Sequence, residues 1–119
     1  MKTAPARAIH EQTPILDLRR RRHGEQIRGA LRYDPDALLK ADPLVLPLPR
    51  ERTIALYADD EHIARAIGEK LLSSGYEDVV EIENGLEGWK AAGRPTERET
   101  QEQPVPTVDE AGIKLVEDR

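Results

Sequence analysis

Short apolar runs alternate with amphipathic ones along most of this chain, and each run is bounded by proline, glycine or a cluster of acids. The pattern is sharpest at Thr53-Ile54-Ala55-Leu56-Tyr57, which is followed by the polar break Ala58-Asp59-Asp60 and then by a helical stripe. In that stripe Ile63, Ile67 and Leu71 recur at four-residue intervals beside Ala64, Gly68 and Leu72, and Gly75 stands where a left-handed C′ residue would end the helix. A buried strand, a tight loop and a helix beginning at that loop are therefore predicted in immediate succession.

The same alternation extends in both directions. Ile15-Leu16-Asp17-Leu18 has the length and composition of a buried strand with an acid near its carboxyl end. Residues 27–33 predict a turn into a second short strand. Asp34 as N-cap and Pro35 at the first helical position then open a short helix over 36–40. Prolines 43, 47 and 49 exclude regular structure across 44–49, so that segment is expected to be a linking loop with its apolar residues against the body. Val79-Val80-Glu81-Ile82 predicts another strand and Glu83-Asn84-Gly85 a turn. A helix over 86–92 follows, carrying Trp89 and stopped by Gly93 and Pro95. Strands alternating with helices argue for an α/β fold with a parallel sheet covered on both faces. Residues 1–13 are expected to be extended, with a possible edge strand at Ala6-Arg7-Ala8-Ile9. Residues 14–96 form the domain, and the acidic segment 97–119 is expected to be largely flexible, with the option of folding back onto the arginines upstream.

Composition narrows the chemistry. The chain has 119 residues, no cysteine and no phenylalanine, so disulfides, thiolate metal sites and cysteine nucleophiles are excluded from it, and Leu, Ile, Val and Ala must supply most of the core. No apolar run approaches the ~20 residues that span a bilayer, and no signal-like stretch follows Met1, so a soluble, cytoplasmic protein is expected. The net charge of -5 is concentrated in the last segment. Arg19, Arg20, Arg21, Arg22, Arg28 and Arg32 make a basic stretch interrupted by one acid, Glu25. That run is short, carries no interleaved aromatics and belongs to an acidic chain, which argues against nucleic acid and for a solvated face or a protein-docking patch at Arg20, Arg21, Arg22 and Arg28.

The motifs also resemble a family. Ile15-Leu16-Asp17-Leu18-Arg19, Gln26-Ile27-Arg28-Gly29-Ala30, Ile54-Ala55-Leu56-Tyr57 and Gly85-Leu86-Glu87-Gly88-Trp89-Lys90-Ala91-Ala92-Gly93-Arg94-Pro95 are similar, in order and spacing, to a single-domain rhodanese over residues 14–96. The resemblance implies a five-stranded parallel sheet with helices on both faces, and a sulfurtransferase ancestry. In catalytic members a cysteine follows the central-strand tyrosine, and the next loop wraps its persulfide in backbone N–H groups. Ala58 occupies that position here. Asp17 and Arg19 fall where the family shapes the base of the pocket, and at the strand end they are expected to pair with backbone or with each other rather than touch a substrate.

The loop equivalent to the family's active site is Ala58, Asp59, Asp60, Glu61, His62 and Ile63. It is short, and its acids stand where a persulfide or thiosulfate needs positive potential, so the pocket is expected to be collapsed or electrostatically closed to such anions. Asp59 or Asp60 is most simply an N-cap, because a side-chain oxygen there satisfies free N–H groups. A metal site or a general acid and base pair at 59–62 is the weaker alternative, since adjacent residues at a helix start diverge rather than converge on one ion. His10 and His23 are expected to be solvated, and Trp89 to anchor the last helix in the core. No catalytic residue, metal or cofactor is assigned. The expectation is a catalytically inactive rhodanese-like domain that acts as a binding or regulatory module, with a protein as partner. The alternative is an accessory domain in sulfur handling that docks a thiol-bearing sulfurtransferase or carrier.

Overall fold

The structure is a computed structural model that describes residues 1–20, 24–109 and 112–114. Its centre is a five-stranded sheet in the spatial order β1, β6, β5, β2, β4, with every neighbouring pair parallel. These strands are β1 (Lys2–Ala4), β2 (Ile15–Asp17), β4 (Leu31–Arg32), β5 (Thr53–Tyr57) and β6 (Asp78–Ile82). A separate antiparallel pair joins β3 (Glu25–Ile27) to β7 (Thr96–Arg98), and another joins β8 (Thr107–Asp109) to β9 (Gly112–Lys114). The α/β class and the parallel five-stranded sheet agree with the sequence reading.

The pleat divides the core in two. Along β5, Ile54 and Leu56 face one side with Leu16, Ile67 and Leu71, and Ala55 and Tyr57 face the other with Ile15, Ile82 and Trp89. Both faces of the strand are thus buried, which is why it reads as an unbroken apolar run. The first side is covered by α1 (Pro35–Lys40) and α2 (Glu61–Ser73). The second is covered by α3 (Gly85–Ala91) and a 3-10 turn at Ala6–Ala8. Residues 44–46 add Leu44, Val45 and Leu46 to the core without forming a regular element, and Tyr76 clamps them. Its Oη accepts from Leu46 N and donates to Leu46 O, both at 2.8 Å.

Local chemistry sets the helix ends. The Asp34 side chain accepts from Asp36 N with Pro35 opening α1, as predicted. At the end of α2, Gly75 has φ +102°, its N–H donates to Leu72 O, and Tyr76 N donates to Leu71 O; this is the paired 5→2 and 6→1 closure of a Schellman motif. The same pair, Gly93 N to Lys90 O and Arg94 N to Trp89 O, closes α3.

Two expectations change. The edge strand lies at Lys2–Ala4, one turn earlier than Ala6-Arg7-Ala8-Ile9, because Ala6 and Ile9 are needed as buried side chains in a 3-10 turn against α3. The segment after residue 96 is also built into the domain at its start. β7 pairs with β3, Thr100 N donates to Gln26 Oε1 at 3.0 Å, and Gln103 N donates to Arg32 O at 2.7 Å. Its polar composition conceals this, because the contacts are made by carboxylates and backbone amides to groups more than 70 residues away. Among the described residues no helix is long and apolar enough to cross a membrane.

Candidate functional site

The carboxyl ends of β2, β5 and β6 point to one edge of the domain, where open α/β sheets gather ligands. There β5 ends at Tyr57 and α2 begins at Glu61, leaving only Ala58, Asp59 and Asp60 between strand and helix. Asp60 is the N-cap, its Oδ1 accepting from Ile63 N at 2.9 Å, so of the two cap candidates the structure selects Asp60. Asp59 Oδ2 instead accepts from Arg20 N at 2.7 Å, which joins the loop after β5 to the loop after β2. Ala58 is half-buried and faces the cavity; Asp59, Asp60, Glu61 and His62 are exposed and Ile63 packs partly into the core.

The cavity at this edge is about 520 Å³ and open to solvent. Of the two expectations for the short loop, collapse or electrostatic closure, collapse does not hold, because an open cleft is lined by Ala58 on one side and Leu86 on the other. Its described lining holds the carboxylates of Glu25, Asp59, Asp60, Glu61, Glu81 and Glu87 against one guanidinium, that of Arg19. The acids affect one another. Burial, and then the charge of Glu61, raises the Glu81 pKa above the usual carboxylate value despite Arg65 nearby. Glu25 moves the other way, held down by the Thr96 hydroxyl and the Lys90 ammonium, its partner at 3.0 Å.

The base of the cleft is a buried polar network. Asp17 is fully buried and takes Arg19 in a fork, Nε to Oδ1 at 3.0 Å and Nη2 to Oδ2 at 2.8 Å. The same Arg19 Nη2 donates to Glu25 O and approaches Glu99 Oε2 at 3.3 Å. Tyr57 Oη donates to Asp17 Oδ2 and accepts from Ile27 N, and burial together with the Asp17 charge keeps its phenol protonated far above the ordinary range. Asp17 and Arg19 therefore pair with each other, as the strand-end reading proposed, and Arg19 shows its edge to the cavity.

The arginine stretch does not act as one surface. Arg19 is buried, and Arg32 is buried on β4, whereas Arg20 is exposed and paired with Asp36 at 2.7 Å and Arg28 is exposed after β3. Arg21, Arg22 and His23 lie outside the described residues. His10 is exposed, and its Nδ1 accepts from Gln12 N. Among the described residues no group of three or more His, Asp or Glu is arranged to hold a metal ion. The sequence reading missed Glu25, Glu81, Glu87 and Glu99. Glu81 and Glu87 carried a usable signal, since the end of β6 and the helix start after it must share the edge at which β5 ends; Glu25, on the antiparallel β3, and Glu99 carried none.

Comparison with known proteins agrees with this layout. The family model of the rhodanese-like domain matches residues 3–92. A crystal structure of a rhodanese-like domain from Anabaena is 32% identical, with a TM-score of 0.62 over 76% of this chain and 97% of that one. A solution structure of a rhodanese-like domain from Anabaena is 25% identical, with a TM-score of 0.66 over 100% of this chain and 96% of that one. A thiosulfate sulfurtransferase from Pseudomonas aeruginosa is 27% identical with a TM-score of 0.56, covering 73% of this chain but 17% of that enzyme. An uncharacterised protein of Synechocystis is 34% identical over 59 residues, and the match spans 33% of its length.

Proposed function

The chain belongs to the rhodanese-like domain family, a family of sulfurtransferases, and from that membership we propose that this member has lost sulfur transfer and works as a cytoplasmic binding or regulatory module. One observation carries the reading. Ala58 stands between β5 and α2, where the family presents its thiol, and the chain has no cysteine to replace it. A methyl group can neither attack a sulfane sulfur nor carry one.

The electrostatics support the same conclusion. Persulfide chemistry needs an anionic sulfur stabilised by N–H donors and positive potential. Here the described lining of the cleft beside Ala58 holds six carboxylates and one guanidinium that already serves Asp17. Thiosulfate entering it meets net repulsion, while a cationic group on a protein partner meets attraction. The docking face in this reading is the 58–63 loop with the exposed Arg20, bonded to Asp59, beside it.

A second reading keeps the domain in sulfur handling as the docking site for a partner that brings its own thiol. The open cleft favours it, because about 520 Å³ next to a small side chain leaves room for a partner's loop. Two experiments test these readings. A thiosulfate-to-cyanide transfer assay on the purified chain is expected to stay at background, and metal-independent turnover well above background would overturn the first. Recovery of a cysteine-bearing sulfur carrier in a pull-down favours the second.

A further inference from the structure

Arg32 is 2% exposed, and two of its nitrogens, Nε and Nη1, have no hydrogen-bond partner among the described residues. Its Nη2 reaches Arg19 O at 3.4 Å. The nearest carboxylates are close enough to attract and too far to accept. Asp17 Oδ2 lies 3.8 Å from Nε, and Glu99 Oε1 lies 3.6 Å from Nη1. The other oxygen of Glu99 sits 3.3 Å from Arg19 Nη2. One carboxylate, brought in from the segment after β7, thus straddles two buried guanidinium groups without satisfying the donors of the second.

Such donors are costly to leave unmet in a dry site. Among the described residues the charge count there is two guanidiniums against Asp17 and Glu99, with Tyr57 neutral. With Glu99 withdrawn, that count leaves one positive charge in excess, and Arg32 Nη1 still faces the space that the carboxylate held.

We propose that Arg19 and Arg32 form a binding site for a small tetrahedral oxyanion, that Glu99 fills it as an internal ligand, and that oxyanion binding displaces Glu99 and releases the strap over residues 99–103. A tetrahedral oxyanion carries its acceptors out of a single plane, so it can accept from Arg32 Nη1 while keeping Arg19 Nη2. The strap is suited to release. Beyond β7 it is held to the body by Glu99 N on Gly24 O, by Thr100 on Gln26, and by the bridge of residues 102 and 103 to Arg32, whose O accepts from Gln103 N, before Val105 packs against the core. Binding at the arginines and closure of the strap are then mutually exclusive, which makes their coupling reciprocal. The site uses no atom of the 58–63 loop, so it stands or falls apart from the loss of sulfur transfer.

Sulfate is the probe, with chloride at matched ionic strength controlling for screening and acetate testing whether a planar carboxylate suffices. Binding is measured by calorimetry on the parent chain, Glu99→Gln and Arg32→Lys, and strap opening by amide hydrogen exchange on the parent. Glu99→Gln is expected to bind sulfate about tenfold more tightly than the parent. Arg32→Lys, which removes the Nη1 donor, is expected to bind it several-fold more weakly. Sulfate should speed exchange at the Thr100 and Gln103 amides of the parent and leave α2 unchanged, whereas chloride should not. Equal sulfate affinity in parent and Glu99→Gln, acetate binding as tight as sulfate, or no sulfate-specific exchange at residues 100 and 103 would each overturn the proposal. The exchange result decides alone if either variant fails to fold.

Discussion

Tyr57 Oη donates to Asp17 Oδ2 at 2.9 Å, across the two central strands, at the one register position where β2 and β5 end side by side. Through Ile27 N the same hydroxyl also ties down β3. The base of the cleft is thereby fixed by one phenol. Tyr57→Phe removes the donor to a fully buried carboxylate and the acceptor of a buried amide, and is expected to destabilise the fold by about 1–3 kcal/mol. Urea unfolding checks this, and an unchanged midpoint would mean that water replaces both bonds.

Asp17 and Tyr57 show what a sequence discloses and what it hides. Their strands were legible because buried parallel strands are short apolar runs, and α2 because its stripe, Asp60 cap and Gly75 stop lie within one local window. Their partnership with Arg32 and Glu99 was not. A pattern reading assigns charged side chains to solvent, so Arg32 falls into a basic stretch and Glu99 into a flexible tail, whereas burial of one requires the other. Long-range ion pairs leave no periodicity to find.

The cap at the start of α2 is a separable contribution. Asp60→Ala removes the acceptor for Ile63 N and is expected to cost about 1 kcal/mol, while Asp60→Asn should stay within a few tenths of a kcal/mol of the parent. Thermal melts of the two variants side by side make the comparison. An equal loss in both would point to charge at the helix start rather than to the hydrogen bond.

Gly88 is constrained by space. A Cβ there would overlap the Glu83 carbonyl oxygen, which is backbone and cannot swing aside. Gly88→Ala is therefore expected to cost about 1–3 kcal/mol by pushing α3 away from the turn that starts it. The same chemical denaturation measurement tests this, and a neutral result would show that the turn has slack.

Glu81 predicts a dependence on pH. Its folded pKa is raised, chiefly by burial and then by Glu61, so the folded state holds the proton more tightly than the unfolded chain does. Below the unfolded value both states are protonated and nothing is lost; as pH rises through the folded value the carboxylate charges and stability falls. Glu81→Gln should gain on the parent between about pH 4 and about pH 7. Urea midpoints at the two ends of that window check the sign, and a gap that narrows as pH rises would reverse the assignment.

The central claim is that the cleft beside Ala58 no longer cradles an anionic sulfur, and Ala58→Cys tests it most directly. In a working cradle, helix N-terminus and N–H donors bring a thiol from about 8.5 down to about 3.5–7.5. Following thiolate absorbance against pH in this variant, the acidic lining predicts a pKa at or above the ordinary cysteine value, with little persulfide formed from thiosulfate. A thiol pKa well below that value, with ready persulfide formation, would contradict the account.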